Sequence, residues 1–243
     1  MRETTDSFGQ AMLDWVRGGT IPEIIERNDG QVEMGAGPEE YLAPSHEWPE
    51  CEQRSMLFVR GRVADVGCGG GRVALHLQNL GFDAVGIDVS PLAVAAARLH
   101  GVRATWCESV DRLRTRIEQF DTIVLFGNNL GVFGTPERAR RILTQWASRV
   151  APGTRILIES TNPFSGGAPV LDRAYCQRNR VIWVAPGQCR LRVWYDRSPS
   201  QWFSWFFASP SDLKRLLKGS GWRLVDVVRS ANDEPYVAVF ESS

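Results

Sequence analysis

Lysine is nearly absent: only Lys214 and Lys218 carry it, and the other 26 of the 28 basic residues are arginine. That bias reads as the coding habit of a GC-rich genome. Net charge is absent too, because 28 acidic residues balance the basic ones. A duplex-binding surface ordinarily shows as a basic excess, so nucleic acid is not an expected partner. No apolar run approaches the ~18–20 residues of a membrane span, so no membrane partner is expected either. The opening Met1-Arg2-Glu3-Thr4-Thr5-Asp6 lacks the basic and apolar regions of a signal peptide. Cysteines at 51, 68, 107, 176 and 189 form no CxxC pair. That excludes a zinc site and a disulfide frame, and predicts reduced thiols in a cytoplasmic protein.

What is present is an ordinary globular mixture over 243 residues, 43% hydrophobic and 23% charged, which excludes disordered and fibrous classes. The length fits one α/β domain with decorations. Residues 1–59 read as an N-terminal helical cap segment. A helix over Ser7–Arg17 stops at Gly18-Gly19, a Gly-rich acidic loop covers Gly30–Glu40, and a second helix lies near Glu47–Val59. The main domain spans 60–243. Strands at Arg62–Val66, Ala84–Asp88, Ala104–Cys107, Asp121–Phe126 and Arg155–Glu159 alternate with four helices, including Val110–Glu118. Ser90-Pro91 and Thr135-Pro136 are helix-opening pairs, a cap followed by proline at the first helical position. Such alternation implies a doubly wound, parallel α/β sheet with right-handed crossovers. An antiparallel β insertion follows the fifth strand at about 163–208, with strands at Val181–Val184, Arg190–Tyr195 and Trp202–Phe207. A helix ending at Lys218 and strands Trp222–Val228 and Tyr236–Phe240 complete a mostly parallel, seven-stranded sheet.

In an open parallel sheet, ligands bind at the carboxyl ends of the strands. The first strand of the main domain runs into Gly67-Cys68-Gly69-Gly70-Gly71 and then a helix, where glycines admit close backbone approach. The next strand ends in Gly86-Ile87-Asp88, a carboxylate 17 residues beyond Gly71. An ionised carboxylate accepts hydrogen bonds only, and its two oxygens suit the two hydroxyls of a ribose. The alternative for Asp88 is a cap of the Ser90 helix. Position 72 is arginine, which breaks the dinucleotide pattern GxGxxG, and no Gly-Lys-Ser/Thr follows to make a phosphate loop.

The string Val63-Ala64-Asp65-Val66-Gly67-Cys68-Gly69-Gly70-Gly71-Arg72, followed by Val85-Gly86-Ile87-Asp88-Val89-Ser90-Pro91, resembles the class I S-adenosylmethionine-dependent methyltransferases. The likeness covers about residues 60–160 and implies a Rossmann-like methyltransferase fold. It implies S-adenosyl-L-methionine as cofactor and S-adenosyl-L-homocysteine as product. By this resemblance Gly67, Cys68 and Gly69 cradle the methionyl part, and Asp65 lies near its amino group. Asp88 takes the ribose, with Val89 against the adenine. Glu108 and Ser109 fall at the adenine edge, where the family usually has Asp and a small residue. Gly127, Asn128 and Asn129 face both methionine and acceptor. In related enzymes an N-terminal segment folds over the cofactor, which brings in Tyr41 and His46.

Asn128 and Asn129 are equally at home in a plain turn. They and His46 are the nominees for catalysis, while His76 and His100 sit in helices as structural residues. His46 either lines the site or caps a solvated helix. The run Trp202-Phe203-Ser204-Trp205-Phe206-Phe207 reads half as sheet core and half as an acceptor wall, with Trp183, Trp194 and Tyr195. Trp183, Arg192, Trp194 and Trp202 are the expected acceptor contacts. Arg190 and Arg192 share a strand face and are either solvated or placed to orient a carboxylate-bearing acceptor. Gly127-Asn128-Asn129-Leu130 is not the Asp/Asn-Pro-Pro-Tyr box of amino-directed DNA methyltransferases. The expected function is in-line methyl transfer to an O or N atom of a small molecule or short peptide, of the natural-product tailoring kind. Carboxyl methylation of a peptide or protein terminus is the alternative within the class. A non-catalytic S-adenosylmethionine-binding partner subunit is the alternative outside it, with a nicotinamide dehydrogenase behind both.

Overall fold

The computed structural model describes residues 6–35, 37–165, 171–231 and 234–243. Residues 1–5 of the expected cap, Ala36 of its loop and residues 166–170 of the expected insertion lie outside the described residues. The N-terminal segment holds helix α1 (Ser7–Val16), strands β1 (Ile24–Arg27) and β2 (Val32–Met34), and short helices α2 (Gly37–Tyr41) and α3 (Glu50–Ser55). Next come β3 (Val63–Val66), α4 (Arg72–Asn79), β4 (Ala84–Asp88), α5 (Pro91–His100), β5 (Thr105–Cys107) and α6 (Val110–Leu113). They are followed by β6 (Thr122–Leu125), α7 (Pro136–Ala147) and β7 (Arg155–Ser160). Helix α8 (Arg173–Val181) then precedes β8 (Gln188–Tyr195), β9 (Ser198–Pro199) and β10 (Phe203–Phe206). Helix α9 (Pro210–Leu217), β11 (Trp222–Arg229) and β12 (Tyr236–Ser242) end the chain.

The main sheet has seven strands in the order β11-β12-β7-β6-β3-β4-β5. The pairs joining β3, β4, β5, β6 and β7 are parallel, and β12 runs antiparallel between β7 and β11. Strands buried on both faces read as continuous apolar runs. Ile123 and Leu125 join one core cluster, while Val124 between them joins the cluster on the opposite face. The chain leaves β3 toward β4 and β5 on one side and later returns to β6 and β7 on the other. That reversal makes the carboxyl end of β3 the switch point at which sheets of this kind bind ligands.

Helix starts follow the predicted chemistry. Ser90 accepts from the Ala93 amide at 2.9 Å and Thr135 from the Arg138 amide at 3.3 Å, each with proline next in the chain. The region near Glu47–Val59 is not one helix: α3 begins after Pro49, and three-residue tight turns flank it. The expected helix over Val110–Glu118 shortens to α6 plus a tight turn at Ile117–Gln119.

Two corrections concern the chain outside the main sheet. Residues Val181–Val184 are not a strand. Asp172 caps α8 by accepting from the Tyr175 amide at 2.8 Å, so the helix reaches Val181. Asn179 then donates to the carbonyls of Ala185, Pro186 and Gln188, which turns the chain back. The N-terminal segment, in turn, is not purely helical. Its hairpin, turning at left-handed Gly30, adds β1 and β2 to the insertion, giving a second sheet of order β10-β8-β1-β2 with β9 on β8. Ile24 lies opposite both Met34 and Trp194. A period-2 pattern in Ile24–Arg27 is too short to announce this pairing, whose partner lies some 165 residues away in sequence.

Candidate active site

Strand β3 delivers the chain into a turn where Gly67, Gly69 and Gly71 have φ of 74°, 53° and 83°. Residues with a Cβ rarely adopt this left-handed region. The amides of Gly67 and Cys68 both donate to the Ile87 carbonyl, at 2.8 and 3.0 Å, which ties the turn to the end of β4. There Asp88 accepts from the Gly69 amide and, with its other oxygen, from the Ser90 amide, each at 2.9 Å. Burial pushes the Asp88 carboxyl up while these two amides pull it down. Asp65 is buried under the loop and accepts from the Ala74 amide at 3.0 Å. Burial pushes its carboxyl up to about 7 against the pull of the Ala74 amide and the Arg72 cation. Cys68 is buried with its sulfur toward Gly86, so it contributes its backbone to the turn.

The N-terminal segment covers this turn. A Cβ built on Gly69 would lie 2.8 Å from the Met12 methyl, and one on Gly70 2.2 Å from a Leu42 methyl. The Tyr41 and Phe8 rings meet at 5.1 Å between centroids within that cover, and Ser90 donates to Asp6 beside it. At the adenine end, Val89 is 70% exposed, and Glu108 follows it in space through its amide to the Asp88 carbonyl at 2.8 Å. Ser109 opens α6 next to it.

Beyond β6 the backbone is left-handed at two successive residues, Gly127 and Asn128 (φ 68° and 59°). Asn129 donates to the Val66 and Gly67 carbonyls at 3.1 and 2.7 Å, fastening this loop to the glycine turn. Asn128 accepts from the Thr161 hydroxyl at 3.0 Å. Both side chains are therefore committed to holding the loop. Beneath it lies a set that the motif reading missed. Arg72 makes a two-pronged pair with Glu52 at 2.6 and 2.7 Å, and the Gly127 amide donates to Glu159 at 2.5 Å and to Glu52 at 3.3 Å. Glu52 and Glu159 are buried. Burial and the neighbouring Glu52 charge push the Glu159 carboxyl well up. Burial acts on Glu52 as well, but the hydrogen bond from Glu159 and the Arg72 guanidinium outweigh it and hold Glu52 low. A glutamate closing the apolar run Ile156–Ile158 was the available signal.

A family model described as a methyltransferase domain matches residues 40–227. The chain belongs to that family. The chain is 26% identical over 179 residues to a ubiquinone biosynthesis O-methyltransferase of Nitrobacter winogradskyi, covering 69% of this chain and 59% of the relative. It is 45% identical over 58 residues to the enzyme of that name from Hahella chejuensis, covering 24% of each chain. The matches thus span less than two thirds of these relatives' own lengths. Its fold is similar to a crystal structure of a SAM-dependent methyltransferase from Bacteroides fragilis in complex with S-adenosyl-L-homocysteine. The TM-score is 0.79 at 20% identity, over 98% of this chain and 95% of that one.

The remaining expected site residues are exposed or paired among themselves and their neighbours. His46 sits on an exposed turn, its ring 3.5 Å from Glu47. Trp183 is 96% exposed, at φ 61° on the turn after α8. Arg192 pairs with Glu26 through two bonds of 2.7 and 3.0 Å and lies 4.7 Å from both the Trp194 and Trp202 ring centroids. Trp194 donates to the same glutamate at 2.6 Å. By the pleat, Arg192 and Trp194 occupy the face of β8 opposite Leu191, Val193 and Tyr195. The aromatic that reaches the loop after β6 is Trp205: a Cβ on Gly131 would fall 1.9 Å from its ring. Among the described residues, no helix is long and apolar enough to cross a membrane.

Proposed function

We propose that this methyltransferase moves the methyl group of S-adenosylmethionine to an oxygen or nitrogen of a small molecule or short peptide. The observation that carries the cofactor reading is the junction of Gly69 and Asp88: a turn left-handed at Gly67, Gly69 and Gly71, bonded directly to a carboxylate at the next strand end. The Gly69 and Ser90 amides go to different Asp88 oxygens, and a carboxylate oxygen has a second acceptor site, which suits a ribose diol. Gly67 and Gly69 would line the methionyl part, with Asp65 beneath them. Val89, Glu108 and Ser109 would flank the adenine, and Tyr41 belongs to the cover. When bound, the cofactor supplies the electrophilic methyl; the sulfur–carbon bond breaks as the acceptor–carbon bond forms. The chain supplies alignment and exclusion of water, and alignment alone reaches effective molarities of ~10⁵–10⁸ M.

The O-methyltransferase names of the relatives favour an oxygen acceptor over nitrogen. A carboxylate acceptor loses one half of its nominated clamp, because Arg192 is already paired with Glu26. Family membership favours an enzyme over a non-catalytic partner subunit. Titration calorimetry with S-adenosylmethionine, S-adenosylhomocysteine and NADH tests the cofactor reading. The first two should bind and NADH should not. Asp88→Ala should weaken binding by about 1–3 kcal/mol through the lost charge-assisted bonds. Unchanged affinity in that variant removes Asp88 from the site.

A further inference from the structure

Glu52, Arg72 and Glu159 come from three separate elements, α3, α4 and β7, and meet under Gly127. Arg72 takes both oxygens of Glu52, which localises the negative charge on that residue. Glu159 converges on the same point: its carboxyl and that of Glu52 both accept from the Gly127 amide, at 2.5 and 3.3 Å. Two buried carboxyls that share one amide do not both stay ionised, because the one cation beside them compensates only one charge. The proton therefore belongs to Glu159. The groups facing Glu159 are Glu52 and Cys51 from α3, Arg72 from α4 and the Gly127 amide, while β12 places Val237 in register with it.

The loop that this cluster grips is one that needs gripping. Gly127 and Asn128 are both left-handed, and a non-glycine residue there persists only when its surroundings hold it. From Gly127 the connection continues through Asn129 to the carbonyls of Val66 and Gly67. We infer that Glu159 is a positioning residue that works in its protonated form, fixing Gly127 and, through Asn129, the glycine turn against which the cofactor is read to lie. Arg72 and Glu52 keep the proton on Glu159 by holding the charge elsewhere. This inference rests on the cofactor reading only for its consequence at the binding site; the grip on Gly127 stands apart from it.

The test compares Glu159→Gln, Glu159→Leu and Glu159→Asp by calorimetry with S-adenosylhomocysteine, and follows the Gly127 amide in ¹⁵N-glycine-labelled protein. Glutamine keeps a donor toward Glu52 and an acceptor for Gly127 but cannot ionise. It should retain affinity to within about twofold, whereas leucine should cost about tenfold or more by removing the shorter of the two bonds that the Gly127 amide makes. The Gly127 resonance should stay near its wild-type position in the glutamine variant and move in the leucine variant. If leucine prevents folding, aspartate, one methylene too short to reach Gly127, takes its place with the same expected loss. A glutamine variant as weak as the leucine or aspartate variant overturns the protonated state. Wild-type affinity and an unmoved Gly127 in the leucine or aspartate variant overturn the positioning role. If the wild type does not bind S-adenosylhomocysteine while Gly127 follows the expected pattern, the inference stands and the cofactor reading falls.

Discussion

Asp65 lets the electrostatics of the site be measured without any acceptor. Its carboxyl is 2% exposed, held up to about 7 by burial, and in the unfolded chain it returns to the ordinary carboxylate value. Between those two values the folded protein binds the extra proton, so stability falls as pH rises and levels off above the folded pKa. Over about pH 5 to pH 8 this single group lowers folding stability by about 3 kcal/mol, at ~1.4 kcal/mol for each unit crossed. Asp88 and Glu159, both also pushed up by burial, tilt the wild-type curve the same way. Asp65→Asn isolates one share, because asparagine keeps an oxygen for the Ala74 amide and cannot ionise. Urea unfolding of the cofactor-free protein at both pH values should show the variant gaining about 3 kcal/mol on the wild type between them. Parallel profiles for the two proteins would refute the buried, proton-holding Asp65.

Two packing predictions follow from the same structure. Gly131→Ala should destabilise by about 1–3 kcal/mol or more, because the Trp205 ring occupies the space a Cβ requires. Thermal unfolding and a shift of tryptophan emission check it, and an unchanged midpoint would mean the ring yields freely. Thr135→Ala removes the hydroxyl that caps α7 and should cost about 1 kcal/mol, with Thr135→Ser close to wild type. Equal losses in both variants would assign the effect to something other than the cap.

Local rules were enough for the main sheet. Glycine at 67, 69 and 71 supplies the left-handed turn, and Ser90-Pro91 and Thr135-Pro136 start helices where capping chemistry says they should. Apolar runs such as Thr122–Leu125 mark strands covered on both faces. These features depend on neighbours within a few residues, so one chain carries them in full, and Asp88 was legible because it ends such a strand. The region 181–184 misled for the same reason: β-branched and aromatic residues signal a strand only if a partner strand is there, and Asn179 turns the chain away from one. Only tertiary structure paired β1 with β8, and so set Arg192 against Glu26. It alone joined Glu52, Arg72 and Glu159, and laid Met12 and Leu42 over the glycine turn. Residues this far apart in sequence meet through the whole fold. The state of a buried carboxyl depends on what surrounds it there, and no spacing along the chain encodes that.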